Sequence, residues 1–267
     1  MRRFHLFEFL DQTWYPHAFR CIQTDYLQFS QYAATRFVGM ETLLPVFRKG
    51  LSRSGTATIV DLCSGGTGSW IRLKRDLLRA GLKVRVRLTD KYPNPASLEK
   101  WPEELRQGIE YVRESVDALN VPDHLKGMRT LFAGFHHFRP EQARQILRDA
   151  SDKRTPIAVF DPSGIRSPLG LLALLLFAPL LPVFMLLSYW VMTPFIQPRT
   201  ASRFLWTYLI PVVPAVTCWD GVVSFLRGYT DGELREMTAS LPAKDYAWEI
   251  GRIVIGFPLT CLLGYPV

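Results

Sequence analysis

Cysteine is scarce in this chain. Cys21, Cys63, Cys218 and Cys261 are the only four in 267 residues, and their wide spacing builds neither a metal knuckle nor a disulfide framework. A reducing compartment and no metal site are therefore expected. Lysine and arginine exceed aspartate and glutamate by 32 to 24, a net charge of +8, yet they form no long basic run. There is no zinc-finger spacing and no RNA-binding motif, which favours anionic lipid over nucleic acid as the partner of that charge. Glu8 and Asp11 interrupt the apolar residues near the start, so a secretory signal is not expected there. Internal repeats and low-complexity tracts are absent, as is any Gly-x-Gly-x-x-Gly. The largest gap is in charge itself: none occurs from Ser167 to Gln197.

What is present is a set of strand–loop–helix junctions. Ile59-Val60-Asp61-Leu62 runs into Cys63-Ser64-Gly65-Gly66-Thr67-Gly68, an acid followed by a glycine-rich loop and then a helical pattern. Glycines let the backbone take φ > 0 and approach a nucleotide-like ligand closely. Val84–Asp90 reads as a second strand, and Asp90 falls roughly 20 residues beyond the glycines, where a strand-end acid grips ribose hydroxyls. Ile109–Asp117, Thr130–Phe135 and Pro156–Asp161 read as strands three to five, separated by helical patterns. One of those helices opens at Pro140 with Ala143, Ile146, Leu147 and Ala150 on one face. The alternation predicts a parallel sheet with crossover helices, whose ligands bind at the carboxyl ends of the strands. Asp61, Asp90, Asp117 and His136 are expected at those ends.

From about residue 55 to the end, the chain resembles the class I S-adenosylmethionine-dependent methyltransferases. Asp61–Gly68 resembles the family's first motif, with Cys63 where the first glycine is usual and Thr67 or Gly68 as the third. Asp90 matches the acid that binds the cofactor ribose. Ser115-Val116-Asp117-Ala118-Leu119 resembles the adenine-contacting motif, and Phe135-His136-His137-Phe138 stands where the transferable methyl is approached. The resemblance implies S-adenosyl-L-methionine as cofactor, held by Asp61, Cys63, Ser64, Gly65, Gly66, Thr67, Asp90, Val116, Asp117, Ala118 and Phe135. It also implies a Rossmann-like α/β fold with a seven-stranded, mostly parallel sheet, completed by Tyr246–Ile250 and Val254–Leu259. Two other classes fit the glycine loop less well: a nicotinamide-dependent oxidoreductase and a non-catalytic membrane-associated binding module.

The expected organisation is an N-terminal helical cap (1–54), a cofactor-binding core (55–165), an apolar helical insertion after strand five (166–218), and a C-terminal completion of the core (219–267). The cap is rich in aromatics, including Trp14, Tyr15, Phe19, Tyr26, Phe29, Tyr32 and Phe37. The charge-free stretch, flanked by Arg166 and Arg199, is long enough to span a bilayer. A single crossing would part the last strands from the sheet, so three arrangements remain. The segment dips and returns at Pro179 and Pro182, or crosses back through Phe204–Val216, or packs in a dimer interface. Membrane association through 168–196 and 204–216, at the cytoplasmic face, and a small hydrophobic acceptor are the resulting expectations, with a soluble cytoplasmic protein as the alternative. Thr230–Glu233 reads as a capping box, and Asp220 as the cap of a helix over 222–227. His136 and His137 are the candidate catalytic bases, because imidazole titrates near neutrality. As neighbours leaving a strand they are expected to face opposite ways.

Overall fold

Ile59 of β1 (Thr58–Leu62) buries in one apolar cluster while Val60 and Leu62 bury in another, because successive side chains of a strand point to opposite faces. A strand buried on both faces belongs at the centre of a sheet. The computed structural model describes residues 3–34, 40–67, 70–165, 167–242, 245–255 and 257–267. Phe37, Gly68, Arg166 and Gly256, which figure in the sequence reading, lie outside them.

The other strands are β2 (Arg85–Leu88), β3 (Ile109–Tyr111), β4 (Met128–Phe132), β5 (Ile157–Pro162), β6 (Tyr246–Ile255) and β7 (Phe257–Pro266). The helices needed below are α1 (His17–Ala34), α2 (Leu44–Ser54), α3 (Trp70–Arg79), α4 (Pro140–Asp152), α5 (Pro168–Phe177), α6 (Leu181–Met192), α7 (Ala201–Phe204), α8 (Val212–Arg227) and α9 (Asp231–Ala239). Two compact units divide the chain: a sheet unit of Tyr32–Ser163 with Tyr229–Val267, and a helical unit of Met1–Gln31 with Gly164–Gly228.

In the sheet unit the strand order is β3-β2-β1-β4-β5-β7-β6. The first five are parallel, and β7 runs antiparallel between β5 and β6. This is the expected seven-stranded, mostly parallel Rossmann-like sheet. Leu73 and Leu77 of α3 bury in the cluster that holds Ile59, and Ala143, Ile146, Leu147 and Ala150 of α4 in the one that holds Val60. Pro45 sits in the first turn of α2, and Gly55 ends that helix at φ 66°, the left-handed geometry that glycine takes without Cβ strain. Thr230 and Glu233 form the expected capping box on α9.

Several boundaries differ from the sequence reading. The third strand stops at Tyr111 rather than Asp117, because Arg113, Glu114 and Ser115 are all exposed and the alternation of burial is lost. β4 stops at Phe132 because Ala133 takes a left-handed φ of 46°. The expected strand Val254–Leu259 straddles a hairpin: Ile255 of β6 pairs with Phe257 of β7, and Val254 with Pro258.

The helical unit gathers residues 3–31 and α5 to α8. Ile22, Tyr26, Tyr189, Ile196 and Val213 form its core, with the Tyr26 and Tyr189 rings stacked at 3.6 Å. The sequence reading treated 1–54 as one cap, but α2 belongs to the sheet unit. The insertion also continues past 218, because α8 runs unbroken to Arg227. Asp220 is therefore mid-helix and caps nothing at 222. It is buried and accepts hydrogen bonds from Phe9 N (2.7 Å), Leu10 N (3.2 Å) and Gln23 Nε2 (2.9 Å). Its role is to tie the N-terminal segment to α8, since a buried carboxylate must have donors.

Among the described residues, no single helix is long and apolar enough to cross a membrane. Two bent pairs are apolar enough together: Pro168–Phe177 with Leu181–Phe195, at 57°, and Ala201–Leu209 with Val212–Arg227, at 72°.

Candidate functional site

The loop after β1 is held by its own strand-end acid. Asp61 is buried, and its Oδ2 accepts from Ser64 Oγ (2.6 Å) while Oδ1 accepts from Thr130 Oγ1 (2.7 Å). Its carbonyl accepts from both Thr89 N and Thr89 Oγ1, each at 2.8 Å. Burial outweighs the two hydroxyl donors and pushes the Asp61 carboxyl up to about 6. Cys63 takes φ 56° and Gly65 φ 53°. Only glycine enters the left-handed region freely, so a Cβ at Cys63 costs roughly 1 kcal/mol. The thiol is pushed well upward, by burial first and then by the charges of Asp90, Asp61 and Asp117.

Asp90, at the end of β2, reaches across to this loop. Its Oδ2 accepts from Gly65 N at 2.8 Å and its Oδ1 from Tyr92 N at 2.8 Å. Burial raises its carboxyl, against the pull of those two amides and of nearby His137. Ser64 N donates to Thr89 O at 3.0 Å, and Val116 N to Asp90 O at 3.0 Å. The loop of Asp117 is anchored beside it: Asp117 Oδ1 accepts from Leu119 N (3.0 Å), its Oδ2 lies 3.3 Å from Lys91 Nζ, and Ser115 Oγ donates to Lys91 O (2.7 Å). One hydrogen-bonded chain thus connects Asp61, Ser64, Gly65, Asp90, Val116 and Asp117. Val116 and Ala118 are themselves buried core residues, so only their backbones are available to a ligand.

Two residues that the motif reading passed over fix the glycine loop. Tyr111 Oη donates to Gly65 O (3.1 Å), and Trp101 Nε1 donates to Thr67 Oγ1 (3.0 Å). A Cβ built on Gly65 would meet nothing within 4 Å, so the face of the loop at Gly65 is open. An open glycine backbone beside the buried carboxylate of Asp90 suits a polar nucleoside-like ligand.

The histidines do not leave a strand. Phe135–His137 is a single 3-10 turn, so their rings do not face opposite ways but lie 4.3 Å apart at 32°. His136 is buried, with Nδ1 3.0 Å from Asp161 Oδ1, and the same oxygen accepts from Phe135 N at 3.1 Å. Asp161 lies near the end of β5 (Ile157–Pro162), and the sequence pattern assigns it no role. Phe135 packs at 5.3 Å from the Tyr229 ring and is fully buried, so it shapes the site without exposing its own ring. Cys63 contacts this region too, since a Cβ on Gly134 would lie 3.4 Å from the Cys63 Cβ.

No protein-family model matches the sequence, and no curated protein matches it. Solved structures do resemble it. Human N-acetylserotonin methyltransferase, in complex with SAM, superposes with a TM-score of 0.51 at 13% identity, over 97% of this chain and 62% of that one. This chain has the class I methyltransferase fold. A weaker likeness is to the mitomycin 7-O-methyltransferase MmcR (TM-score 0.42, 16% identity, 83% of this chain and 54% of that one). A putative zinc-dependent alcohol dehydrogenase from Rhodobacter sphaeroides gives 0.49 at 9% identity, over 92% and 98%. The chain spans about half the length of MmcR and under two thirds of the human enzyme. Within this methyltransferase fold, the glycine loop, Asp90 and the Asp117 loop all follow the carboxyl ends of β1, β2 and β3.

Proposed function

We propose that the protein transfers a methyl group from S-adenosyl-L-methionine to a small hydrophobic acceptor. The observation that carries this reading is the bond network joining the glycine loop to Asp90 and Asp117 in a methyltransferase fold. When bound, the cofactor supplies an electrophilic methyl group on a sulfonium sulfur. Asp90 offers its carboxylate to the ribose hydroxyls. The Asp117 loop would hold the adenine, and the backbone of Ser64–Thr67 the methionine part. Asp61 acts inside the protein, holding Ser64 and hence the loop.

His136 is the residue assigned to proton removal, with Asp161 as its positioning residue. With Nδ1–H donated to Asp161, the imidazole's lone pair is on Nε2, which then takes the proton of an acceptor hydroxyl. His137 lies beside His136, the two rings 4.3 Å apart and tilted by 32°. Placement of the acceptor supplies much of the rate, since an in-line displacement depends on the approach to the methyl carbon.

A hydrophobic acceptor dissolved in a membrane is proposed because α5 and α6 expose leucine and phenylalanine along almost their whole length, next to no charge. Association with the cytoplasmic face of a membrane is part of the same proposal.

The test is calorimetric titration of the detergent-purified protein with S-adenosylmethionine and S-adenosylhomocysteine, with NADH and NADPH as controls. Micromolar binding of the sulfonium cofactor alone supports the reading. Binding of a nicotinamide instead overturns it in favour of an oxidoreductase, and binding of neither leaves a non-catalytic domain.

A further inference from the structure

We infer that the helical unit is a monotopic anchor, whose apolar legs enter one leaflet of an anionic bilayer and leave on the side they entered. This rests on the membrane association proposed above and specifies how it is achieved.

The lengths come first. Helix α5 has 10 residues, hence about 15 Å, half the roughly 30 Å of a hydrocarbon core. At its end the chain bends by 57° through Ala178–Leu180 into Leu181–Phe195. A bend of 57° does not double the chain back from a vertical entry. The two legs therefore stay in one leaflet as a shallow V, each inclined about 30° to the membrane plane and reaching roughly 7–10 Å into it. The residues at and around this turn are those that water would not retain: Leu175, Leu176, Phe177, Leu180 and Phe184 are each at least 60% exposed. The second bend is apolar as well, with Leu209 77% exposed. Isolated exposed leucines are ordinary, but a continuous set of this kind marks an interaction surface.

Connectivity gives the same answer. Ser163 and Tyr229, which flank the insertion, both belong to the sheet unit. β5 ends at Pro162 and pairs with β7, so the chain must return to the side from which it departed. Return by a second full crossing is opposed by the charges on α7 and α8. Arg203 is buried against Asp25, and Arg227 against Glu8 (3.2 Å) and Asp11. A crossing through 201–227 would carry these charges, with the N-terminal segment bound to them, into hydrocarbon, where ionised groups are costly.

The rim suits a headgroup layer. The Trp190 and Tyr208 rings stack with centroids 6.2 Å apart, and Tyr208 Oη donates to Trp190 O at 2.6 Å. Amphipathic rings favour the boundary between acyl chains and headgroups. Arg199 follows the apolar legs, and the net charge of +8 matches an anionic surface. These charges and the aromatic rim favour a bilayer over a second copy of the chain as the partner.

The experiment uses the full chain and vesicles of equimolar phosphatidylcholine and phosphatidylglycerol. Flotation of wild type should persist in high salt, and Leu176→Glu/Phe184→Glu should lower the bound fraction about tenfold or more. Both positions are exposed, so the variant keeps its fold, verified by unchanged S-adenosylmethionine binding. A membrane-impermeant maleimide then probes Phe177→Cys and Arg199→Cys on bound vesicles, with labelled wild type as background. Protection at 177 with full reactivity at 199 is expected. Protection of both indicates a crossing and overturns the inference. So does an absence of vesicle binding, for instance with a stable dimer in solution that the double glutamate variant dissolves. Cofactor binding without vesicle binding defeats this inference alone, whereas vesicle binding without cofactor binding defeats the methyltransferase reading alone.

Discussion

Asp90 Oδ2 and the Gly65 amide are joined by a 2.8 Å hydrogen bond across 25 residues of sequence. The acid assigned to the ribose therefore also sets the shape of the glycine loop. Asp90→Ala should weaken S-adenosylmethionine binding about 100-fold, the scale of one or two charge-assisted hydrogen bonds. Asp90→Asn retains an acceptor but loses the charge and should fall between variant and wild type. Calorimetry on the three proteins checks the order, and equal affinity in all three would remove Asp90 from the site.

His136 depends on Asp161 for its tautomer. Asp161→Asn should lower kcat about 100-fold or more, as general-base contributions do, while KM for S-adenosylmethionine stays within about twofold. Steady-state kinetics with a phenolic test acceptor separates the two parameters. A rise in KM at constant kcat would show that Asp161 serves the pocket and not the proton.

Asp61 makes stability depend on pH in a defined direction. Its carboxyl is pushed up to about 6 in the folded chain, against 3.8 ordinarily. Below about pH 4 it is protonated whether folded or unfolded and contributes nothing. Between pH 4 and 6 the folded state binds the additional proton, so stability falls as pH rises. Above pH 6 the full cost of the buried charge is present, on the order of 3 kcal/mol. Asp61→Asn keeps a carbonyl acceptor for one of the hydroxyls without that cost. The melting temperature of wild type relative to Asp61→Asn should drop between pH 4.5 and 7, which thermal melts in matched buffers measure. A constant difference would mean that Asp61 is not the group responsible.

Gly127 has φ 143°, and a Cβ there would lie 2.5 Å from Thr58 O, at the start of β1. The clash is with backbone, which cannot step aside cheaply. Gly127→Ala should cost about 2–3 kcal/mol and lower the melting temperature by roughly 5–10 °C. Differential scanning calorimetry reads both.

The sheet and half of the site were legible because they obey local rules. An acid and a glycine loop after a β-branched pair mark β1, and a second acid at the right remove marks β2. What escaped depends on contacts between distant segments. Thr130 donates to Asp61 because β4 pairs with β1 in a register that sets those two residues side by side. Tyr111 and Trp101 reach the loop from a strand end and a short connection, and no periodicity announces either. Asp161 could have been found, since it is a strand-end acid like Asp61 and Asp90. The two histidines were assigned to a strand because nothing local signalled that Ala133 would turn left-handed and end it. Asp220 was misread as a cap because its partners, Phe9, Leu10 and Gln23, lie some 200 residues away.

The insertion also has a consequence for synthesis. β5 gains its second neighbour only from β7, where Ile157 pairs with Gly264 and Pro162 with Leu259. Between the two, the ribosome delivers the whole apolar excursion from Gly164 to Gly228. During that interval the open edge of β5 carries unpaired amides and carbonyls while the most aggregation-prone part of the chain emerges beside it. Early capture of α5 and α6 by a lipid surface would remove the second hazard, so production of this protein should depend on membranes present during translation more than on any refolding step afterwards.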